Sequence, residues 1–291
     1  MRKSHRQDCT GRYATGNDCS HEVSTMNVVL VHGILGFREK FGVEYFRGVA
    51  EHLREKGIAV LVPQLDPTQG IEFRGNQLCD QINSGFANGF LRPQEKTHII
   101  AHSMGGLDTR YILSPVSGKQ IASPVQSLTT ISTCHRGSPI ADILDKPSDL
   151  FPFPRLPFNP AGNPITDVAI ATGISLNGLR DLTTASCQKF SATYTDNPRV
   201  AYFSVGGSGR AGFLKTASAF LLFHAYIYAQ TGQSNDGLVT VDSAAWGRFD
   251  ANTWPCDHAE EVGYNLDNPL SLPAFPYLAK YDQIVATVSA L

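Results

Sequence analysis

Ser103 lies in a sequence pattern that could make its hydroxyl a nucleophile. It belongs to Ala101-His102-Ser103-Met104-Gly105-Gly106, which directly follows the apolar run His98-Ile99-Ile100. The pattern predicts a strand, a sharp turn and a helix, and a serine on such a turn has a strained backbone and an exposed hydroxyl. The small residues Ala101 and Gly105 would let the strand and helix backbones approach closely. Ala101 stands where the commoner pattern has glycine, and a plain helix N-cap serine is the alternative interpretation.

A serine nucleophile needs a base to take its proton, and that base must be oriented by a third group. On a strand-turn-helix nucleophile the partners follow in the order serine, acid, histidine. His258 is the only histidine after residue 224 and lies in a late loop, so it is the predicted base. His135 comes too early to leave room for an acid. His224 lies within an apolar helix, where a core role is favoured.

Asp236 is the predicted acid, because the turn Ser234-Asn235-Asp236-Gly237 suits a loop at a strand edge. Asp242 and Asp250 remain alternatives. Asp257 adjoins His258 in the chain and would hardly reach its ring.

Two backbone N–H groups are predicted to stabilise the negative charge that develops on the oxygen in the transition state. One belongs to Met104, the residue after the nucleophile. The other belongs to Ile34, which His32-Gly33 positions in the loop after the first predicted strand. An ordinary strand-ending turn is the alternative interpretation of His32-Gly33.

Apolar strands that alternate with amphipathic helices predict an α/β fold, in which a mostly parallel sheet has helices on both faces. The predicted strands cover residues 26–31, 58–62, a segment ending at 101, 128–132 and 200–205. The predicted helices cover residues 44–56, 72–82, the segment after the Ser103 turn, 213–229 and 274–290.

The regular pattern breaks at Ala141, and residues 141 to about 185 are predicted to form an inserted cap or lid. The helix over residues 213–229 is predicted to be a further part of the cap. A fixed cap packed on the core is the alternative to a moving lid. The candidate lid and acyl-pocket residues are Phe151, Phe153, Leu156 and Phe158.

The composition describes a globular protein and excludes some classes of partner. The chain has 291 residues, 42 % of them hydrophobic, and 24 Lys+Arg against 26 Asp+Glu give a net charge of -2. No basic excess favours nucleic acid, and no apolar run reaches the roughly 20 residues of a membrane-spanning helix. None of the six cysteines has metal-ligand spacing. Buried free thiols are expected, and a Cys187–Cys256 disulfide is the alternative for an exported protein.

Residues 1–25 are polar and are predicted to be a disordered extension, and residues 26–291 a single α/β domain. Met26 directly precedes the first predicted strand, which suggests it as the natural start. No apolar signal region follows the basic N-terminal residues, so a cytoplasmic protein or a signal-independent export route is expected.

The chain resembles the α/β-hydrolase true lipases, especially bacterial triacylglycerol lipases of the Proteus and Pseudomonas type. The resemblance runs from Met26 almost to the end of the chain. The motifs that carry it are Val29 to Phe37, Ala101 to Gly106, His135-Arg136-Gly137-Ser138, Asn235 to Val239 and Asp257-His258. It implies Ser103 as nucleophile, His258 as general base and then acid, and Asp236 as the residue that orients the histidine. It also implies that Ile34 and Met104 supply the oxyanion N–H groups.

One feature of those lipases is not expected here, namely their structural calcium site. Glu260 is the remnant of that site, and the position of its partner carboxylate falls near Thr216. A hard cation with one carboxylate would be weakly held, so no metal and no cofactor is predicted. Lys215 or Arg210 could pair with Glu260 instead, and a merely solvated Glu260 is the other alternative.

The resemblance and the motifs together predict a serine carboxylester hydrolase that acts on a lipid or ester substrate at a lipid–water interface, most simply a triacylglycerol lipase. An esterase restricted to short soluble esters is one alternative. A non-catalytic binding protein with the hydrolase fold is the other.

Overall fold

The computed structural model describes residues 26–34, 44–145, 175–209, 218–268 and 270–291. The predicted N-terminal extension lies outside these residues. So do the predicted lid residues Phe151, Phe153, Leu156 and Phe158, and both predicted cationic partners of Glu260.

The described residues form one parallel sheet of six strands in the order β2-β1-β3-β4-β5-β6. The strands are β1 (Met26–Val31), β2 (Ala59–Leu61), β3 (Lys96–His102), β4 (Val125–Ile131), β5 (Ala201–Val205) and β6 (Arg248–Phe249). β1 lies next to the edge strand β2, and the chain then crosses to the other side of β1 to form β3, so the strand order reverses between β1 and β3. Ligand sites in open α/β sheets lie where the strand order reverses in this way.

Helices cover the sheet and connect its strands. They are α1 (Val49–Arg54), α2 (Ile71–Ala87), α3 (Gly105–Leu113), α4 (Pro139–Asp145), α5 (Asn177–Asp181), α6 (Thr184–Thr193), α7 (Ser218–Thr231), α8 (Val241–Ala244) and α9 (Tyr277–Ser289). Among the described residues, no helix is both long and apolar enough to cross a bilayer.

The sheet separates two hydrophobic cores, because successive strand side chains point to opposite faces. Val29 and Val31 of β1 pack with α2 and α3 on one face. Val28 and Leu30 pack with α1 and α9 on the other. Both faces of β1 are therefore buried, which explains why its sequence is apolar throughout. The predicted α/β fold with helices on both faces is confirmed.

Several element boundaries differ from the predicted ones. The first predicted helix is shorter, because Gly48 adopts a left-handed φ of 69° and the helix can begin only at Val49. The second is longer and ends at Ala87. The helix predicted over 213–229 is described from Ser218 to Thr231, and its role in a cap stays a prediction.

The described cysteines are Cys79, Cys134, Cys187 and Cys256, and all four are buried and free. The alternative pairing of Cys187 with Cys256 is therefore wrong. The Cys187 thiol donates a hydrogen bond to the Asp181 carbonyl at 3.3 Å. The neighbouring thiol is that of Cys134.

Candidate active site

Ser103 lies on the predicted sharp turn between β3 and α3. Its φ of 55° is left-handed, which is rare and strained for a residue with a side chain. Neighbouring groups hold it there, since the Ser103 N–H donates to the Ile131 carbonyl at 2.9 Å. The Thr133 hydroxyl donates to the Ser103 carbonyl at 2.7 Å. The strained conformation is thus fixed by β4 and the loop that follows it.

Small residues around the turn are required by close backbone contacts. A β-carbon at Gly105 would lie 2.5 Å from the Val31 carbonyl oxygen, and one at Gly33 would lie 2.7 Å from the Ser103 β-carbon. Ala101 is fully buried in β3, paired with Val31 of β1 and Thr130 of β4. Its methyl group is accommodated there, so glycine is not needed at this position.

Asp236 and His258 are in direct contact. His258 Nδ1 lies 2.7 Å from Asp236 Oδ2, and the Asp236 side chain is fully buried. Asp236 Oδ1 accepts hydrogen bonds from the N–H groups of Leu238 and Val239 at 2.9 and 2.7 Å. The His258 N–H also donates to the Asp236 carbonyl at 3.0 Å. The carboxylate therefore fixes the imidazole ring with Nδ1 protonated and leaves Nε2 available to take a proton.

His258 lies near the turn at Ser103 but does not form a hydrogen bond with the serine hydroxyl. The rings of His102 and His258 lie 4.4 Å apart, and His102 directly precedes Ser103. Within the described part of the chain, the Ser103 hydroxyl makes no hydrogen bond to His258. Catalytic hydrogen bonds are often loose without substrate and tighten when it binds.

The alternative acids and bases have other contacts. Asp242 is exposed and lies 3.8 Å from Arg136. Asp257 Oδ1 accepts from the N–H groups of Ala259 and Glu260. The His135 ring stacks on Trp246 at 5.2 Å. In the described part of the chain, these contacts do not involve Ser103.

The loop after β1 contributes the N–H group of Ile34, and the turn after Ser103 contributes that of Met104. Among the described residues, neither the Ile34 nor the Met104 N–H donates a hydrogen bond to a backbone carbonyl. His32 anchors this loop, because its Nε2 accepts from the Leu65 N–H at 3.0 Å. Burial and the charge of Arg74 lower the pKa of His32 to about 4, so the ring is neutral and can accept that bond.

Arg74 holds the same loop from α2. Its Nη2 donates to the His32 carbonyl at 2.8 Å and reaches the Gly33 carbonyl at 3.3 Å. Its Nε donates to Asp108 Oδ2 at 2.8 Å, and both side chains are fully buried. Burial raises the pKa of Asp108 to about 6 although Arg74 lowers it. Arg74 thus links the loop after β1 to α3, the helix that begins next to Ser103.

A second buried carboxylate, Glu261, lies beside His258. Its Oε2 is 2.8 Å from His102 Nε2 and 3.9 Å from His258 Nδ1, and its Oε1 accepts from the Ser132 hydroxyl at 2.6 Å. Burial, followed by the charge of Asp236, raises the pKa of Glu261 well above its usual range.

Sequence reasoning missed Arg74, Asp108 and Glu261, and it assigned no role to His102 or Tyr45. The only available signals were the position of His102 next to the nucleophile and that of Glu261 three residues after the base.

Among the described residues, no group of three His, Cys, Asp or Glu side chains that could hold a metal includes Glu260. Glu260 is buried, which makes the solvated alternative wrong, and its Oε2 accepts from the Asp257 N–H at 3.2 Å. In the described ranges the only His, Cys, Asp and Glu group that could hold a metal is His102, His258 and Glu261. Two imidazoles do not suit calcium, which takes oxygen ligands, and His258 Nδ1 is already bonded to Asp236.

Known proteins resemble this chain in sequence and in fold. No protein-family profile matches it. It is 31 % identical over 227 residues to triacylglycerol lipase 2 of Saccharomyces cerevisiae, which covers 76 % of this chain and 63 % of the yeast protein. It is 27 % identical over 266 residues to a triacylglycerol lipase of Vibrio cholerae, covering 81 % of this chain and 78 % of that protein. The chain therefore spans less than two thirds of the yeast relative.

The fold is shared with solved lipases. The crystal structure of Staphylococcus hyicus lipase superposes with a TM-score of 0.69 at 18 % identity, covering 91 % of this chain and 95 % of that one. The chain thus has the α/β-hydrolase fold and is related in sequence to proteins named triacylglycerol lipase.

Proposed function

We propose that this protein is a serine carboxylester hydrolase that releases fatty acids from acylglycerols. The observation that carries the proposal is the contact of 2.7 Å between His258 and the buried Asp236, next to the strained turn at Ser103. The names of the sequence relatives support acylglycerols as the substrate class.

The proposed reaction begins when Ser103 attacks the ester carbonyl and His258 Nε2 takes the hydroxyl proton. Asp236 holds the ring and stabilises the imidazolium that forms. The N–H groups of Ile34 and Met104 would stabilise the oxyanion, as fixed dipoles aimed at developing charge do. The imidazolium then protonates the leaving alcohol, and the neutral ring activates the water that hydrolyses the acyl-enzyme.

The first test is hydrolysis of a short p-nitrophenyl ester by the wild type, Ser103→Ala and a matched control. Ser114→Ala is a suitable control, because Ser114 is also buried but follows the far end of α3. We expect activity in the wild type and the control and none above background in Ser103→Ala. An inactive wild type would favour the non-catalytic alternative, and an active Ser103→Ala would refute Ser103 as the nucleophile.

The second test compares short and long p-nitrophenyl esters and emulsified triacylglycerol. A lipase should hydrolyse the emulsion and the long esters. Activity confined to short soluble esters would refute the acylglycerol assignment and favour the esterase alternative, while leaving the serine mechanism intact.

A further inference from the structure

A series of hydrogen bonds next to His258 runs from Tyr45 through His102 and Glu261 to Ser132. The Tyr45 hydroxyl lies 2.7 Å from His102 Nδ1. His102 Nε2 lies 2.8 Å from Glu261 Oε2, and Glu261 Oε1 accepts from the Ser132 hydroxyl at 2.6 Å. The Ser132 Oγ in turn accepts from the Gly207 N–H at 2.9 Å. These contacts join residues up to 216 positions apart in the chain, from Tyr45 to Glu261, so no local pattern predicts them.

The direction of the hydrogen bonds follows from the groups that can donate. Burial, followed by the charge of His258, lowers the pKa of His102 well below its usual range, so the ring is neutral and carries one N–H. Burial raises the pKa of Tyr45, so its hydroxyl keeps its proton. In the tautomer that carries its proton on Nε2, His102 Nδ1 accepts from the Tyr45 hydroxyl at 2.7 Å. In the same tautomer, His102 Nε2–H donates to Glu261 Oε2 at 2.8 Å.

The series of hydrogen bonds contacts the loop after β1 at its Tyr45 end. A β-carbon at Gly33 would lie only 2.8 Å from the Tyr45 hydroxyl oxygen, so this hydroxyl packs directly against the residue before Ile34. The His102 ring contacts Tyr45, and His102 directly precedes Ser103 in the chain.

The other end of this series of hydrogen bonds, at Ser132, has a strained backbone. Among the described residues, Ser103 and Ser132 are the only non-glycine residues with positive φ, and that of Ser132 is 45°. Such strain persists only where surrounding contacts hold it, and it is concentrated at functional sites. At Ser132 those contacts are the hydrogen bonds of its hydroxyl with Glu261 and Gly207 and that of its N–H with the Val205 carbonyl. A β-carbon at Gly207 would lie 2.1 Å from Glu261 Oε1, which shows how tightly the carboxylate is enclosed.

We propose that Tyr45, His102, Glu261 and Ser132 act together as positioning residues, which hold the loop of Gly33 and Ile34 in place relative to Ser103 and His258. This inference rests on the proposed function. In this role, none of the four side chains contacts the substrate. Their role is to keep the oxyanion N–H groups and the histidine in one fixed arrangement, as preorganised catalysis requires.

The main test is Tyr45→Phe, which removes the hydroxyl and keeps the ring. We expect kcat to fall about tenfold with KM unchanged, less than the loss of a direct oxyanion donor, because the effect acts through position. Tyr277→Phe is the matched control, since Tyr277 is buried and its hydroxyl donates to the Arg47 carbonyl at 2.9 Å, outside this set of contacts. We expect its kcat to equal that of the wild type. Equal kcat in Tyr45→Phe and Tyr277→Phe would overturn the inference.

A double-mutant cycle tests whether the residues act together. Tyr45 and Ser132 share no hydrogen bond and are joined only through His102 and Glu261. If the set acts as a unit, Tyr45→Phe/Ser132→Ala should lose little more kcat than the worse single variant. A loss equal to the product of the two single losses would overturn the inference.

Nitrogen-15 NMR of the histidines separates failure of this inference from failure of the proposed function. We expect His102 to be neutral with the proton on Nε2 in the wild type, and to change its Nδ1 shift in Tyr45→Phe. If the wild type hydrolyses no ester, the proposed function fails. A proton on His102 Nδ1 instead of Nε2 would overturn the hydrogen-bond arrangement. If the wild type is active and Tyr45→Phe retains full kcat, only this inference fails.

Discussion

Replacing Arg74 by methionine should impair both stability and activity, through two effects that a second substitution can separate. Arg74 donates to the His32 carbonyl at 2.8 Å and to the Asp66 carbonyl, and it pairs with Asp108. Arg74→Met keeps most of the apolar side-chain volume and removes every one of these donors. The loop before Ile34 then loses its link to α2 and α3.

The stability loss can be estimated from the burial of the pair. Removing one partner of a fully buried ion pair costs about 3–5 kcal/mol, because the other charge is left without compensation. Asp108 is already poorly satisfied, since its Oδ1 has no hydrogen-bond partner among the described residues. Adding Asp108→Leu removes the stranded carboxyl group, and replacing both partners of such a pair by apolar groups is often neutral. The double variant should therefore regain most of the lost stability.

Activity should not recover with stability, because the carbonyls of His32 and Gly33 remain without Arg74. Urea unfolding would give the free energy of unfolding of the wild type, Arg74→Met and Arg74→Met/Asp108→Leu, and hydrolysis of a soluble ester would give kcat. We expect kcat to stay at least about tenfold low in the double variant, since small displacements of oxyanion donors are costly. If the double variant regains both stability and kcat, Arg74 does not position the loop and the reasoning is wrong.

Two further predictions concern the same loop. Gly33→Ala should lower kcat about a hundredfold, because the new methyl group would lie 2.7 Å from the Ser103 β-carbon and 3.1 Å from its hydroxyl oxygen; an unchanged kcat with an intact circular dichroism spectrum would contradict this. His32, with a pKa lowered to about 4 from 6.5, should destabilise the fold as the pH falls from 6.5 to 4, since the unfolded chain binds the proton first. The shift corresponds to about 3 kcal/mol, and urea unfolding at several pH values should show a smaller loss for His32→Gln; equal losses would refute the assignment.

The turn at Ser103 and the architecture around it were accessible from the sequence, because their signals are local. Apolar strands and amphipathic helices identify a parallel sheet with two covered faces. The order serine, acid, histidine and the turn Asn235-Asp236-Gly237 together predicted which aspartate would meet the histidine, and the structure brings Asp236 and His258 into contact at 2.7 Å.

The contacts that support the site were decided only by tertiary structure. Arg74 and Asp108 lie on different helices, and Tyr45, His102 and Glu261 come from three separate segments, so their pairing depends on how the elements pack. A buried arginine or glutamate has no local sequence signal, since charged residues are usually exposed. The fold class and the candidate chemistry could be predicted from local patterns, because periodicity and short motifs involve residues that are close in the chain. Only the folded chain decided which distant polar groups hold that chemistry in place, because burial and hydrogen bonding depend on residues that meet in space.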